Sequence, residues 1–232
     1  MKIEIKNLKK KFDSNYVLKD INLTIERNKS TIILGQSGCG KSVLIKIIYQ
    51  LLNYDDGKIL YDGKKNVDID KFSMLFQYSA LFDSLSISEN IAFTDYMNNK
   101  LDYSKKVKSL MKDVGLDVSN FYKYPSELSG GMKKRAALAR ALYKKPKVIF
   151  LDEPTTGLDP VNSDLINNLI NKVIKKRKIT AVTITHDIKS AIITGDNFYF
   201  IDDGFIKEAG KCNKIVSTKN KIFKSFITGA RY

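Results

Sequence analysis

Residues 30–48 read STIILGQSGCGKSVLIKII, and their reading decides the fold. A short apolar run, STIIL, leads into GQSGCGKS, Gly35 to Ser42, and the helix-like apolar run VLIKIIYQLL follows. Strand, glycine-rich turn and helix in that order make a phosphate loop, whose backbone N–H groups turn inward around phosphate oxygens. Glycines at 35, 38 and 40 permit that turning. Lys41 is placed to reach the β- and γ-phosphates of a nucleotide, and the Ser42 hydroxyl to ligate Mg²⁺. Gln36, Ser37, Cys39 and Val43 complete the stretch expected to contact the nucleotide. Cys39 reads first as a small filler residue; the smaller alternative is a thiolate favoured near a helix N-terminus, whose alkylation would block nucleotide binding with ATP protecting.

Three more apolar runs end in polar residues: FSMLF before Gln77, KVIFL before Asp152 and AVTIT before His186. Runs apolar throughout suit strands covered on both faces of a parallel sheet. Helix-like segments separate them, which makes the fold α/β. In open α/β sheets ligands bind beyond the carboxyl ends of the strands, so these polar residues should converge on one edge. There Asp152 would hold Mg²⁺ through water, and Glu153 would orient or deprotonate the attacking water. His186, the single histidine of the chain, is placed to donate a hydrogen bond to the γ-phosphate. Gln77 would sense the metal or the water through its side-chain amide.

Two regions depart from this plan. The first ~30 residues and GKILYDG read as an antiparallel sheet with alternating faces. Residues 85–145 read as mostly helical, opened by SISEN, in which Ser86 and Glu89 suit a capping box. Within that insertion lies PSELSGGMKKRAALARAL, Pro125 to Leu142. Ser129, Gly130 and Gly131 open an Ala-rich helix there and form a second candidate anion site. Spacing alone leaves open whether it caps a phosphate within the chain or from another copy.

Composition bounds the rest. At 232 residues the chain is long enough for one large domain or two small ones. It has no run near the ~20 apolar residues that span a bilayer. Its start, MKIEIKNLKKKF, suits a strand and not a secretory signal. Two cysteines, Cys39 and Cys212, make a disulfide framework implausible and fit a reducing, cytosolic compartment. The net charge of +15 comes from lysines spread along a chain also rich in Ile and Asn. A solvated basic surface accounts for it; attraction to anionic membranes ranks second and a nucleic-acid footprint last.

GQSGCGKS, Gln77, LSGGM, VIFLDEP, GLDP and His186, in this order, resemble the nucleotide-binding subunit of an ABC transporter. The resemblance covers the whole chain and implies a RecA-like P-loop core with an N-terminal antiparallel β subdomain and an inserted α-helical subdomain. One domain, 1–232, would be built from a core over 1–84 and 146–232 and an insertion over 85–145. It also implies ATP and Mg²⁺ as cofactors, with Ser42, Gln77 and Asp152 at the metal and Glu153, His186, Gln77 and Lys41 in catalysis. A homodimer would sandwich two ATP molecules. Ser129, Gly130 and Gly131 of one chain would then face the γ-phosphate held by Lys41 of the other. Phe12 matches the aromatic that stacks on adenine, with Tyr16 a weaker candidate, and Asp159 in GLDP matches the loop that couples the two sites.

The departures point to a subfamily. Met132 stands where Gln is commoner, Val43 where Thr is frequent, and YSALFDSLSISENIAF follows Gln77, with Leu81 and Phe82 either exposed to receive a helix from a membrane subunit or buried in the chain's own core. With the tail NKIFKSFITG these stretches are similar to the Mla-type ATPases. That likeness implies an integral membrane permease, an MCE-domain lipid-binding protein, a possible small regulatory subunit and phospholipid transport. The chain would sit on the cytoplasmic face of a bacterial inner membrane, and no nucleic acid is expected. The alternative is a soluble ABC ATPase acting on ribosomes or nucleic acid. A single cassette without heptad repeats speaks against it.

Overall fold

The computed structural model describes residues 1–100 and 102–229. Strands β1 (Ile3–Phe12) and β2 (Asn15–Ile25) form a hairpin. Strand β3 (Ser30–Leu34) runs through the glycine loop into helix α1 (Lys41–Ile48). Strand β4 (Asp56–Tyr61) and strand β5 (Phe72–Leu75) follow. The helical stretch then comprises α2 (Ile87–Ile91), α3 (Phe93–Met97), α4 (Ser104–Asp113) and α5 (Gly130–Tyr143). The chain returns to the sheet through β6 (Val148–Asp152), α6 (Pro160–Arg177), β7 (Thr180–Ile184) and α7 (Ile188–Thr194). Strands β8 (Asn197–Asp202) and β9 (Phe205–Lys211) and helix α8 (Lys221–Thr228) complete the described residues.

Strands β8, β3, β7, β6 and β5 lie side by side and parallel, while β4, β1 and β2 form an antiparallel group. Asp20 of β2 pairs with Phe205 of β9 in parallel register between the two groups, and Tyr199 of β8 bonds the Thr24 backbone of β2 beside that junction. All five residues of β3 and of β7 are buried, as expected of strands covered on both faces. The antiparallel group alternates less cleanly than its sequence suggests, because register shifts between Ile5 and Lys11 bend β1 against β2.

Register positions the site. Ile184 of β7 lies opposite both Ile33 of β3 and Asp152 of β6, and Leu151 lies opposite Leu75 of β5. Four strands therefore finish level, and the residues that follow each of them share one edge.

Three apolar clusters hold these layers. One face of the sheet packs on α1 and Tyr49, whose ring lies 5.4 Å from Phe150. The other face, with Ile149, Leu151 and Ala181, packs on α5 and α6 and takes in Ile87, Ile91, Val107 and Met111 of the helical stretch. The insertion is thus continuous with the sheet's own core. A third cluster seats α8, with the Phe223 ring 4.6 Å from Phe200 and 5.2 Å from Phe198. The expected capping box forms: the Ser86 N–H donates to Glu89 Oε2 at 2.7 Å, and the Glu89 N–H to Ser86 Oγ at 3.3 Å.

Candidate phosphate-binding site

The loop between β3 and α1 turns on glycines that nothing larger can replace. A Cβ on Gly35 would stand 2.4 Å from the Ile201 carbonyl oxygen and 2.6 Å from Cys39 Sγ. Gly40, at φ 101°, caps α1 in a conformation that side chains avoid, with Leu18 Cδ2 at 2.7 Å from its would-be Cβ. Lys41 is buried and donates from Nζ to the carbonyl oxygens of Gly35 and Gln36, both at 2.7 Å. Its ammonium therefore sits folded across the concave face of the loop.

Gly35, Gln36, Ser37, Gly38, Gly40, Lys41, Ser42 and Val43 line a cavity of about 670 Å³ together with Gln77, Asp152, Glu153 and His186. The four strand-end readings thus converge. Cys39 lies within the loop but does not line the cavity, and burial raises its thiol pKa against the pull of Lys41. Desolvation outweighs the helix N-terminus and the lysine, which favours the filler reading of Cys39 over the thiolate.

Asp152 ends β6 and Glu153 follows it. Burial and the neighbouring Glu153 raise the Asp152 pKa, opposed by Lys41 and Lys134. Glu153 has φ 47°, an unfavourable region for a residue with a Cβ. Its Oε1 lies 2.8 Å from His186 Nδ1, and its Oε2 accepts from Thr156 Oγ1 at 3.3 Å. The Glu153 N–H donates to the Ile184 carbonyl at 3.0 Å, which fixes the turn to the end of β7.

The metal reading fits this donor set. Ser42 offers a hydroxyl, Gln77 an amide oxygen and Asp152 a carboxylate, all hard oxygen ligands. Among the described residues no group of three or more His, Cys, Asp or Glu forms a cage of its own. Mg²⁺ bound through one carboxylate and substrate phosphates matches that economy. Two adjacent carboxyls whose charge is already crowded would gain from a divalent cation.

Other expected residues lie elsewhere. Ser129, Gly130, Gly131 and Asp159 do not line the cavity. They neighbour each other instead: a Cβ on Gly130 would meet Leu158 Cδ2 at 3.5 Å, and one on Gly131 would meet Asn162 Oδ1 at 3.7 Å. Ser129 Oγ caps α5 by accepting from the Met132 N–H, and Asp159 caps α6 by accepting from the Asn162 N–H. The Asn162 bonds hold the Asp159 carboxyl below its usual pKa. Phe12 and Tyr16 face each other's strands at the β1–β2 turn, both exposed and outside the cavity lining. Val17, one residue beyond Tyr16, does line it.

Sequence reading missed four contributors. Val17, Ile184 and Phe226 form cavity wall. Lys134, buried on α5, donates from Nζ to the Gln77 carbonyl oxygen, and burial lowers its pKa against the pull of Asp152 and Glu153. The Leu81 and Phe82 pair divides. Leu81 is half-buried against the core, the second of its two readings, because its side chain joins the α5–α6 cluster. Phe82 stays exposed, stacked on Phe93 with ring centroids 4.5 Å apart.

A phosphate loop, two strand-end carboxyls and a strand-end histidine on a parallel sheet define a P-loop nucleotide hydrolase. Residues 18–156 match the ABC transporter family, and the chain belongs to it. It is similar to the sulfate/thiosulfate import ATP-binding protein CysA of Mannheimia succiniciproducens, 34% identical over 99% of this chain and 66% of that protein. The chloroplastic protein trigalactosyldiacylglycerol 3 of Arabidopsis thaliana is 34% identical over 98% of this chain and 74% of its own length. The chain thus spans about two thirds of the first of these curated relatives.

Solved structures agree. The cbiO1 subunit from Clostridium perfringens, part of the ABC transporter complex cbiONQ, superposes with a TM-score of 0.84 at 31% identity, over 96% of this chain and 93% of that one. A dimeric post-hydrolysis structure of the ATP-binding cassette MJ0796, bound to ADP and Pi, gives 0.78 at 28% identity, over 90% of this chain and 98% of that one. As a member of the family, the chain binds ATP with Mg²⁺ and hydrolyses it.

Proposed function

We propose that this chain is the ATP-hydrolysing subunit of a membrane transporter, and that two copies close around two Mg²⁺–ATP. One observation carries the reading. The phosphate loop, Gln77, Asp152, Glu153 and His186 surround one cavity, while Ser129, Gly130, Gly131 and Asp159 lie together outside it. In this reading a single chain has two phosphate-directed glycine sites that do not meet, and a second copy would bring them together. The dimeric MJ0796 cassette supports this arrangement.

In this reading Lys41 and the loop N–H groups hold the β- and γ-phosphates, and Glu153 takes a proton from the attacking water. Mg²⁺, held by Ser42, Gln77 and Asp152, would neutralise charge on the phosphates. ATP joins the two copies, and hydrolysis removes the γ-phosphate that the second glycine site grips. Phe12 would stack on adenine from the hairpin next to Val17.

The coupled partner in this reading is a permease, supported by the neighbour cbiO1 being part of an ABC transporter complex; among the described residues no helix is long and apolar enough to cross a membrane. A groove of about 560 Å³ lined by Phe76, Phe82, Ile91, Phe93, Arg140 and Tyr143 suits a helix from that partner. Phospholipid is the cargo that best fits the segments after Gln77, around Met132 and at Asn220–Gly229. The relative named for trigalactosyldiacylglycerol favours a lipid, whereas CysA is named for sulfate and thiosulfate. The chain would then sit at the cytoplasmic face of the inner membrane with an MCE-domain protein in the complex, and a small regulatory subunit is compatible with the same assembly.

The dimer is tested by light scattering of the Glu153→Gln protein with and without Mg²⁺–ATP. A shift from monomer to dimer is expected; a monomer at saturating ATP refutes the two-site reading. The cargo is tested by identifying what co-purifies from detergent-solubilised membranes. A permease with an MCE-domain protein supports phospholipid transport, a different permease removes that cargo, and ribosomal partners overturn transport itself.

A further inference from the structure

A second cavity lies at the opposite end of the sheet, and its walls are basic. It holds about 560 Å³ where β6 and β7 begin. The length of β6 separates it from the phosphate cavity, roughly 15 Å at the usual rise of a strand. Lys145, Lys147, Lys178, Arg27 and Arg177 line it, against a single carboxyl, Asp62. That carboxyl is already engaged: its Oδ1 accepts from the Lys2 N–H at 2.8 Å and from Arg27 Nη2 at 2.9 Å. Arg177 is engaged as well, because its Nη2 donates to Asp113 Oδ2 at the end of α4. The ammonium groups of Lys145, Lys147 and Lys178 form no ion pair among the described residues. Three positive charges thus share one concavity with no acid left to balance them.

The backbone holds these lysines in place. Lys145 and Lys178 stand at φ 54° and 52° where α5 and α6 end, positions that glycine usually fills. The segments around the cavity are also bonded to one another. The Asn28 N–H donates to Thr180 Oγ1 at 2.9 Å, and the Thr180 N–H to the Lys147 carbonyl at 3.0 Å. The Lys147 N–H donates in turn to the Lys71 carbonyl at 2.8 Å. A cavity built this way is preformed, which spares a ligand the cost of ordering it.

Helix dipoles explain only part of this charge. Cations are favourable near a helix C-terminus, and α5 and α6 both end at this edge. Lys175, Lys176 and Arg177 already occupy the last turn of α6. Lys147 lies just before β6, outside either helix, so no dipole calls for it. Lysine is a compact point charge that suits phosphate oxygens without demanding one fixed geometry. Three such charges match two phosphate groups, each of which brings roughly 1.5 to 2 negative charges. The volume is that of a small-molecule site, and the concave shape fits a free ligand better than a flat membrane surface. We propose that this cavity binds a small soluble ligand carrying a diphosphate or two phosphate groups, separately from the ATP site.

The probe is inorganic pyrophosphate, titrated calorimetrically into the whole chain saturated with Mg²⁺–ADP, so that the phosphate loop is filled. One pyrophosphate should bind per chain. Lys145→Ala/Lys147→Ala should weaken it at least ~10-fold, the weight of lost hydrogen bonds to a charged group. Lys6→Ala/Lys58→Ala removes the same charge from exposed, paired positions of β1 and β4 and should stay within about 2-fold. Equal weakening in the two variants overturns the site in favour of the chain's overall charge. Binding that appears only without ADP places pyrophosphate in the phosphate loop and overturns it too.

Lys178→Gly removes an ammonium while giving φ 52° the residue it favours, so its fold is secure. It should melt no lower than the parent and still bind pyrophosphate at least ~3-fold more weakly. Parental affinity in that protein overturns the three-lysine site. Vesicles of phosphatidylglycerol separate the remaining source of phosphate. Flotation that Lys145→Ala/Lys147→Ala abolishes, with no pyrophosphate bound by the parent, assigns the lysines to a lipid headgroup and overturns the soluble ligand.

Discussion

His186 Nδ1 lies 2.8 Å from Glu153 Oε1, so the single histidine and the candidate base form one hydrogen-bonded unit where β6 and β7 end. An ionised carboxylate only accepts, which puts the proton on Nδ1. Nε2 of a neutral ring is then an acceptor, and donating from it to a phosphate requires the imidazolium or a change of tautomer. The pair should act as a unit. Glu153→Gln is expected to leave ATP affinity within about 3-fold and to slow hydrolysis at least ~10²-fold, the usual weight of a general base. Near-parental turnover removes Glu153 from that role.

If the two side chains work through one hydrogen bond, their losses should not add. The Glu153→Gln/His186→Ala protein should turn over within about 3-fold of the slower single variant. Steady-state kcat of all three proteins checks this. Multiplying losses would mean that His186 serves the phosphate independently of Glu153.

Burial outweighs Lys41 at Cys39 and holds its thiol protonated at neutral pH. Iodoacetamide should therefore modify Cys39 more slowly than an exposed thiol at pH 7.5, with a rate rising about tenfold per pH unit below its pKa. Saturating ATP should slow the reaction further, since Cys39 sits inside the loop that closes on phosphate. Mass-spectrometric labelling rates measure both effects, and rates indifferent to ATP would separate Cys39 from the nucleotide.

Much of this site was readable because its chemistry is local. Gly35 to Ser42 follows directly on β3, and Asp152, Glu153, Gln77 and His186 each stand at or next to a strand end. Apolar runs of five residues predict such positions well, and parallel pairing makes the ends level. The rest depended on contacts between distant segments. Lys134 reads as one lysine among many, and only packing of α5 against the Gln77 segment gives it a carbonyl to bind. Leu81 and Phe82 are adjacent apolar residues, and sequence could not say which one the core would take. Cys39 shows a competition: helix N-terminus and lysine against burial, where magnitude decides and motif does not.

Cys212 supplies a pH dependence. It is 1% exposed, and burial, with Asp196 nearby, pushes its thiol from 9.0 to about 12. The native state therefore holds this proton more tightly than the unfolded chain. The associated stability is complete below pH 9 and is lost as pH rises toward 12. By pH 10.5 the loss from this one group is about 2 kcal/mol, at 1.36 kcal/mol per unit of pH. Cys212→Ala should cost stability at pH 7 through lost packing, and the gap to the parent should narrow by pH 10.5. Thermal melts of both proteins across that range check it; a gap constant with pH would mean that Cys212 does not carry the alkaline limb.

Phe226 joins the fold's C-terminal helix to the phosphate cavity. Its ring lies 5.1 Å from Phe200 in the third apolar cluster, and the same side chain forms part of the cavity wall beside the glycine loop. Phe223, three residues earlier, is fully buried against Phe198 and Phe200, so α8 is seated firmly whatever happens at 226. Phe226→Ala should therefore fold. Half-buried, it should cost about 1–3 kcal/mol, below the range for a fully buried Phe. Opening the wall should also weaken ATP binding by roughly 3- to 10-fold, because water gains access to phosphate contacts that a low-dielectric wall strengthens. Phe226→Leu should restore most of the affinity. Thermal melts and nucleotide titrations on the two variants separate the effects: a lower melting temperature with parental affinity would leave Phe226 a core residue and take it out of the nucleotide site.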